Sequence, residues 1–104
     1  MGQPEQLRLR PFRIIRPGCR VVVQLEIYEE PTGLVCSVRR LAGRIDLPWH
    51  DWIAAVREEM TNIERLARNV GCNEMRLGGR RWAHVLTDYE PLAGVTNGLR
   101  KALT

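Results

Sequence analysis

Between Arg20 and Glu29 apolar and polar residues alternate: Val21, Val23, Leu25 and Ile27 share one face, and Gln24 and Glu26 the other. A two-residue period predicts a half-buried β-strand. Glu30-Pro31-Thr32-Gly33 has turn chemistry, because Pro presets φ and Gly admits positive φ. From Leu34 to Leu41 the alternation resumes, with Leu34, Cys36 and Val38 set against Ser37 and Arg39. The two segments predict an antiparallel hairpin. Ala42 to Asp46 reads as a connector. Asp46 is then placed to cap a helix, and Pro48 suits a first helical turn. The period now becomes helical: Trp49, Trp52, Ile53, Val56, Met60, Ile63, Leu66, Ala67 and Val70 form one stripe in steps of three and four. Gly71 is a suitable stop.

Beyond the helix, Glu74 to Leu77 predicts a short strand, broken by Gly78-Gly79. Arg80 to Thr87 predicts a short helix, with Trp82, Val85 and Leu86 facing inward. A strand or loop is expected near Leu92–Val95. For Gly98–Leu103, a final strand and a short helix fit equally well. The expected fold is α+β with α/β character: antiparallel hairpin, long helix, further strand, short helix and terminal strand, built on a mixed sheet. At 104 residues the chain is one domain with one modest core. Its N-terminal residues 1–19 are set apart as an arm, in which Pro11 and Pro17 suit an edge strand or an extended segment.

Charge sharpens that division. Residues 1–20 hold Arg8, Arg10, Arg13, Arg16 and Arg20 against Glu5 alone, whereas basic and acidic side chains cancel over residues 21–104. The formal charge of +4 therefore sits on the first 20 residues, the arm and Arg20. All but one of the 16 basic residues are Arg, whose planar fork matches phosphate and carboxylate oxygens as Lys cannot. The arm arginines alternate with Leu7, Leu9, Phe12, Ile14 and Ile15. That alternation favours a protein partner, since strand addition uses it; phosphate contacts alone would serve nucleic acid. Cys19, Cys36 and Cys72 show no CxxC pairing, Cys36 and Cys72 suit small buried thiols, and a reducing compartment is expected. No apolar run approaches the ~20 residues of a membrane span, and no apolar leader opens the chain.

A run of residues carries a family resemblance. It comprises Ile63-Glu64-Arg65-Leu66-Ala67-Arg68-Asn69-Val70-Gly71-Cys72, then Met75-Arg76-Leu77-Gly78-Gly79-Arg80-Arg81-Trp82-Ala83-His84-Val85-Leu86, then Tyr89 and the basic tail Leu99-Arg100-Lys101-Ala102-Leu103. With the hairpin and the tryptophans Trp49 and Trp52, this resembles the reduced acetyltransferase-like (GNAT-like) small proteins of tailed bacteriophages. The resemblance runs from about Val21 onward and leaves the arm outside. It implies a truncated GNAT-like mixed sheet over residues 20–104. It also implies a virion-associated structural protein of virion or host cytoplasm, present in many copies, with portal or tail components as partners. Working acetyltransferases hold pyrophosphate with an R/Q-x-x-G-x-G/A loop at the start of the long helix. Here that place reads Arg44-Ile45-Asp46-Leu47-Pro48-Trp49, with no glycine between Gly43 and Gly71. Pro48 removes a donor, Asp46 brings negative charge, and two indoles fill the entrance. No cofactor and no catalytic residue are therefore expected.

The expected role is non-catalytic binding of other virion proteins, possible in a ring at the portal or tail vertex. An acetyl-CoA-dependent N-acetyltransferase and a nucleic-acid-binding accessory protein, with DNA on the arm, are the alternatives. The expected partner-binding residues are Arg8, Arg10, Phe12, Arg13, Ile14, Arg16 and Arg20, with Arg80 and Arg81 after the glycine turn. His50 and His84 lack ligand partners at helical spacing and are not metal candidates. Trp52 and Trp82 read as core, and Trp49 at the helix end as more open to a stacking role.

Overall fold

The computed structural model describes residues 7–8, 11–78 and 82–103. The predicted hairpin is there and is longer than the alternation suggested. Strand β3 runs Cys19–Glu30 and β4 runs Gly33–Ile45, joined by Pro31-Thr32. Before them, β1 (Leu7–Arg8) and β2 (Phe12–Arg16) both pair antiparallel with β3. Pro17-Gly18 makes the tight turn from β2 into β3. Part of the arm is thus a strand of this domain's own sheet.

The connector expected at Ala42–Asp46 is mostly strand. The cause is a bulge: Gln24 lies opposite Arg40 but Leu25 lies opposite Val38, which leaves Arg39 as the extra residue. The bulge resets the alternation by one, so Leu41, Gly43 and Ile45 continue the inward face of Leu34, Cys36 and Val38. Gly43 is required here. Its φ is +147, and a Cβ on it would stand 2.1 Å from the Arg20 carbonyl oxygen.

Helix α1 spans Trp49–Val70, as the stripe predicted. Pro48 takes the capping position, and its carbonyl accepts from the Trp52 amide at 2.9 Å. Asp46 does not cap. Its amide donates to the Gly18 carbonyl at 2.6 Å, and its carboxylate pairs with Arg44 at 2.8 Å. At the other end Gly71 adopts the left-handed conformation, φ +101, and its amide reaches back to the Arg68 carbonyl. The buried stripe is narrower than the apolar one: Ala55, Met60, Ile63 and Ala67 are buried, whereas Leu66 and Val70 are about two-fifths exposed.

Three strands complete the sheet: β5 (Cys72–Leu77), β6 (Glu90–Pro91) and β7 (Leu99–Ala102). The order is β1-β3-β4-β5-β7-β6, with β2 beside β1 on the same edge of β3. Among the described residues only β4 and β5 run parallel, because α1 carries the chain back between them. The fold is thus α+β: one long helix on one face of a mixed sheet.

The short helix expected over Arg80–Thr87 is not formed in its described part. The Val85 and Leu86 amides both donate to the Trp82 carbonyl, one helical turn that stops. The Val85 carbonyl, which would continue it, instead accepts from Arg57 Nε at 2.8 Å. Between α1 and the sheet lie Val23, Leu25, Cys36 and Met75, none with exposed surface, together with Ile63, Ala67 and Leu77. All three cysteines are buried free thiols, and burial pushes the Cys36 thiol up to about 12. Among the described residues no helix is long and apolar enough to cross a membrane.

Candidate functional site

Strand alternation sorts the side chains of β2, β3 and β4 onto two faces. Phe12, Ile14 and Arg16 face the helix side with Cys19, Val21 and Val23. Arg13, Ile15, Arg20 and Val22 face away from it, onto a sheet face that no helix among the described residues covers. The register arranges that open face in cross-strand rows. Ile15, Arg20 and Arg44 form one row, Arg13, Val22 and Ala42 the next, and Gln24 and Arg40 a third.

This half of the face is basic and partly apolar. Arg13, Arg20, Arg40 and Arg44 are exposed. Among the described residues no carboxylate pairs with Arg13, Arg20 or Arg40; Arg44 alone has one, Asp46. Ile15 is 69% exposed and Val22 38%. Arg20 stands directly opposite Arg44 in the ladder. Like charges at that spacing destabilise a sheet.

The other half of the same face is closed by its own charges. Arg76 on β5 donates to Glu30 at 2.8 Å and to Glu74, and lies over the Tyr28 ring. Arg100 on β7 donates to Glu74 at 2.9 Å and to Glu90. Burial acts to raise the Glu74 carboxyl, but the hydrogen bonds from Arg100 and Arg76 outweigh it and hold it below its ordinary value. Glu26, buried near the boundary of the two halves, has Arg39 at 3.6 Å.

The expected binding residues are therefore divided. Arg13 and Arg20 are brought together on the open face. Arg16 is spent on the helix, with Glu58 at 3.3 Å and Glu59 at 3.2 Å. Phe12 and Ile14 pack against the core. The backbone of Arg8 pairs with Glu26. Arg10, Arg80 and Arg81 lie outside the described residues. Arg40 and Arg44 were not expected. Their signal was the odd step from Val38 to Leu41, which marks the bulge and extends the strand.

Three indoles form a second feature. Trp49 stacks on Trp52 with centroids 5.4 Å apart, and Trp52 on buried Trp82 at 6.0 Å, each pair within 10° of parallel. Trp52 is half-buried and Trp49 is 62% exposed. On the helix side, buried Glu64 accepts from Tyr89 at 2.7 Å and from Lys101 at 2.9 Å. Lys101 also donates to Asp88. This network ties β7 to α1. Among the described residues no group of three or more His, Cys, Asp or Glu could hold a metal ion. No family model matches the chain, and neither does any curated protein or solved structure.

Proposed function

We propose that this chain is a non-catalytic docking module that takes an acidic protein surface on the arginine half of its open sheet face. The resemblance to small phage proteins makes that surface one of another virion protein, at the portal or tail vertex. One observation carries the reading. Arg20 faces Arg44 across the ladder, on one face with Arg13 and Arg40, and among the described residues Asp46, on Arg44, is the one carboxylate that pairs with any of the four. Uncompensated like charge costs stability and is relieved when a partner of opposite sign arrives. Exposed Ile15 and Val22 among the arginines add apolar area that such a partner would cover.

The helix start supports binding over acetyl transfer. Asp46, Pro48 and the indoles of Trp49 and Trp52 stand where an anion would need free backbone donors. Nucleic acid is the competing occupant, because every cation of the patch is an arginine.

Fluorescence anisotropy separates them. Labelled poly-glutamate is expected to bind the chain, and the variant Arg13→Glu/Arg20→Glu/Arg40→Glu/Arg44→Glu is expected to lose roughly a hundredfold in affinity. Tighter binding to duplex DNA than to poly-glutamate, falling steeply with salt, would replace the protein partner with nucleic acid. Mass spectrometry of assembled phage particles checks the virion assignment: a fixed copy number is expected, and absence from the particle contradicts it.

A further inference from the structure

Strand β5 pairs with β4 only from Leu34 to Ser37. Strand β4 then runs on to Ile45, and among the described residues nothing pairs with its outer edge from Arg40 onward. A strand edge left this way presents unpaired amides and carbonyls. Where β4 and β5 part, a cleft of about 270 Å³ opens beneath α1, lined by Val38, Leu41, Val56, Met60, Trp82 and Leu86, with Arg39 and Arg40 at its rim.

We propose that the partner engages β4 by strand addition: an extended acidic segment pairs with the edge from Arg40 to Ile45. The inference rests on the docking role proposed above and specifies its geometry. Alternation decides what the segment carries. Its residues on the open face lie beside Arg40 and Arg44 and are acidic. Those between lie beside Leu41, which lines the cleft, and beside Ile45 on the same face of the strand, and are apolar. The arginines also exclude a second copy of this chain as occupant. Two β4 edges paired together would set arginine rows against each other, the usual way an edge is guarded against its own kind.

The probe is an acetylated, amidated heptapeptide alternating Glu and Val, titrated into the full-length ¹⁵N-labelled chain and followed by amide-resolved NMR. Shifts and slowed exchange are expected at amides between Arg40 and Ile45. Methylating alternate backbone nitrogens of the peptide removes ladder donors and is expected to weaken it at least tenfold, as is Arg40→Glu/Arg44→Glu. Equal binding of the methylated peptide, still sensitive to the arginines, would overturn strand addition and leave the docking role standing. Binding indifferent to the arginines, or no binding by either peptide while poly-glutamate binds, would also overturn it. If poly-glutamate fails to bind as well, the docking role falls with it.

Discussion

The two halves of the open sheet face meet the same problem, a polar surface with no helix above it, and solve it differently. On β5, β7, β6 and the far end of β3, charges of opposite sign interleave: Glu30, Arg76, Glu74, Arg100 and Glu90 each touch a neighbour of opposite sign. In the other half, formed by β2, the Cys19–Gln24 part of β3 and the Arg40–Ile45 part of β4, the exposed charges Arg13, Arg20, Arg40 and Arg44 are of one sign, Arg44 pairs with Asp46 just beyond β4, and Arg20 and Arg44 face each other directly. A closed ladder is a stability device. A row of like charges has no such use within the domain, and the proposed docking role rests on that difference.

Substitutions in the two halves should then have different readouts. The largest effect on folding is expected at Glu74, which lies buried between two arginines. Glu74→Ala strands both partners and should cost about 2–4 kcal/mol in urea unfolding, with poly-glutamate affinity unchanged. Loss of binding with stability intact would reverse the roles of the halves.

The same carboxyl gives a pH dependence. It is held below its ordinary value near 4.5 in the folded chain, so its contribution is present above that value and is lost as pH falls through the lower folded one. Wild type should therefore lose more stability than Glu74→Gln between neutral pH and pH values below about 4. Parallel curves would contradict the assignment.

In the arginine half the sign reverses. Arg20→Thr removes the cross-strand repulsion with Arg44 and should raise stability by a few tenths of a kcal/mol while weakening poly-glutamate binding. A measurable destabilisation would mean that Arg20 is a structural contact. Outside both halves, Trp49→Ala takes the exposed ring off the end of the indole stack and should cost about 0.5–1 kcal/mol, with the affinity for poly-glutamate unaltered.

Local patterns account for what the chain reveals by itself. The stripe of α1, the left-handed stop at Gly71 and the Pro31-Thr32 turn are encoded within a few residues, and the structure has them where the pattern puts them. The arginine excess of the arm leads to the expectation of a binding surface there. Alternation alone could not say that Arg16 would reach Glu58 and Glu59, some forty residues away. Nor could it show that a bulge at Arg39 would bring Arg40 and Arg44 onto the same face as Arg20. The turn at Trp82–Leu86 was hidden for the same reason, since the Arg57 side chain that ends it comes from the middle of α1. Contacts between distant segments leave no period in the sequence.

Residue-resolved NMR of the full chain titrated with poly-glutamate tests the division of the face most directly. Perturbed amides are expected around Arg13, Arg20, Val22, Arg40 and Arg44, with those around Glu30, Glu74, Arg76 and Arg100 unmoved. Perturbation centred on the second group, or on neither, would contradict the account.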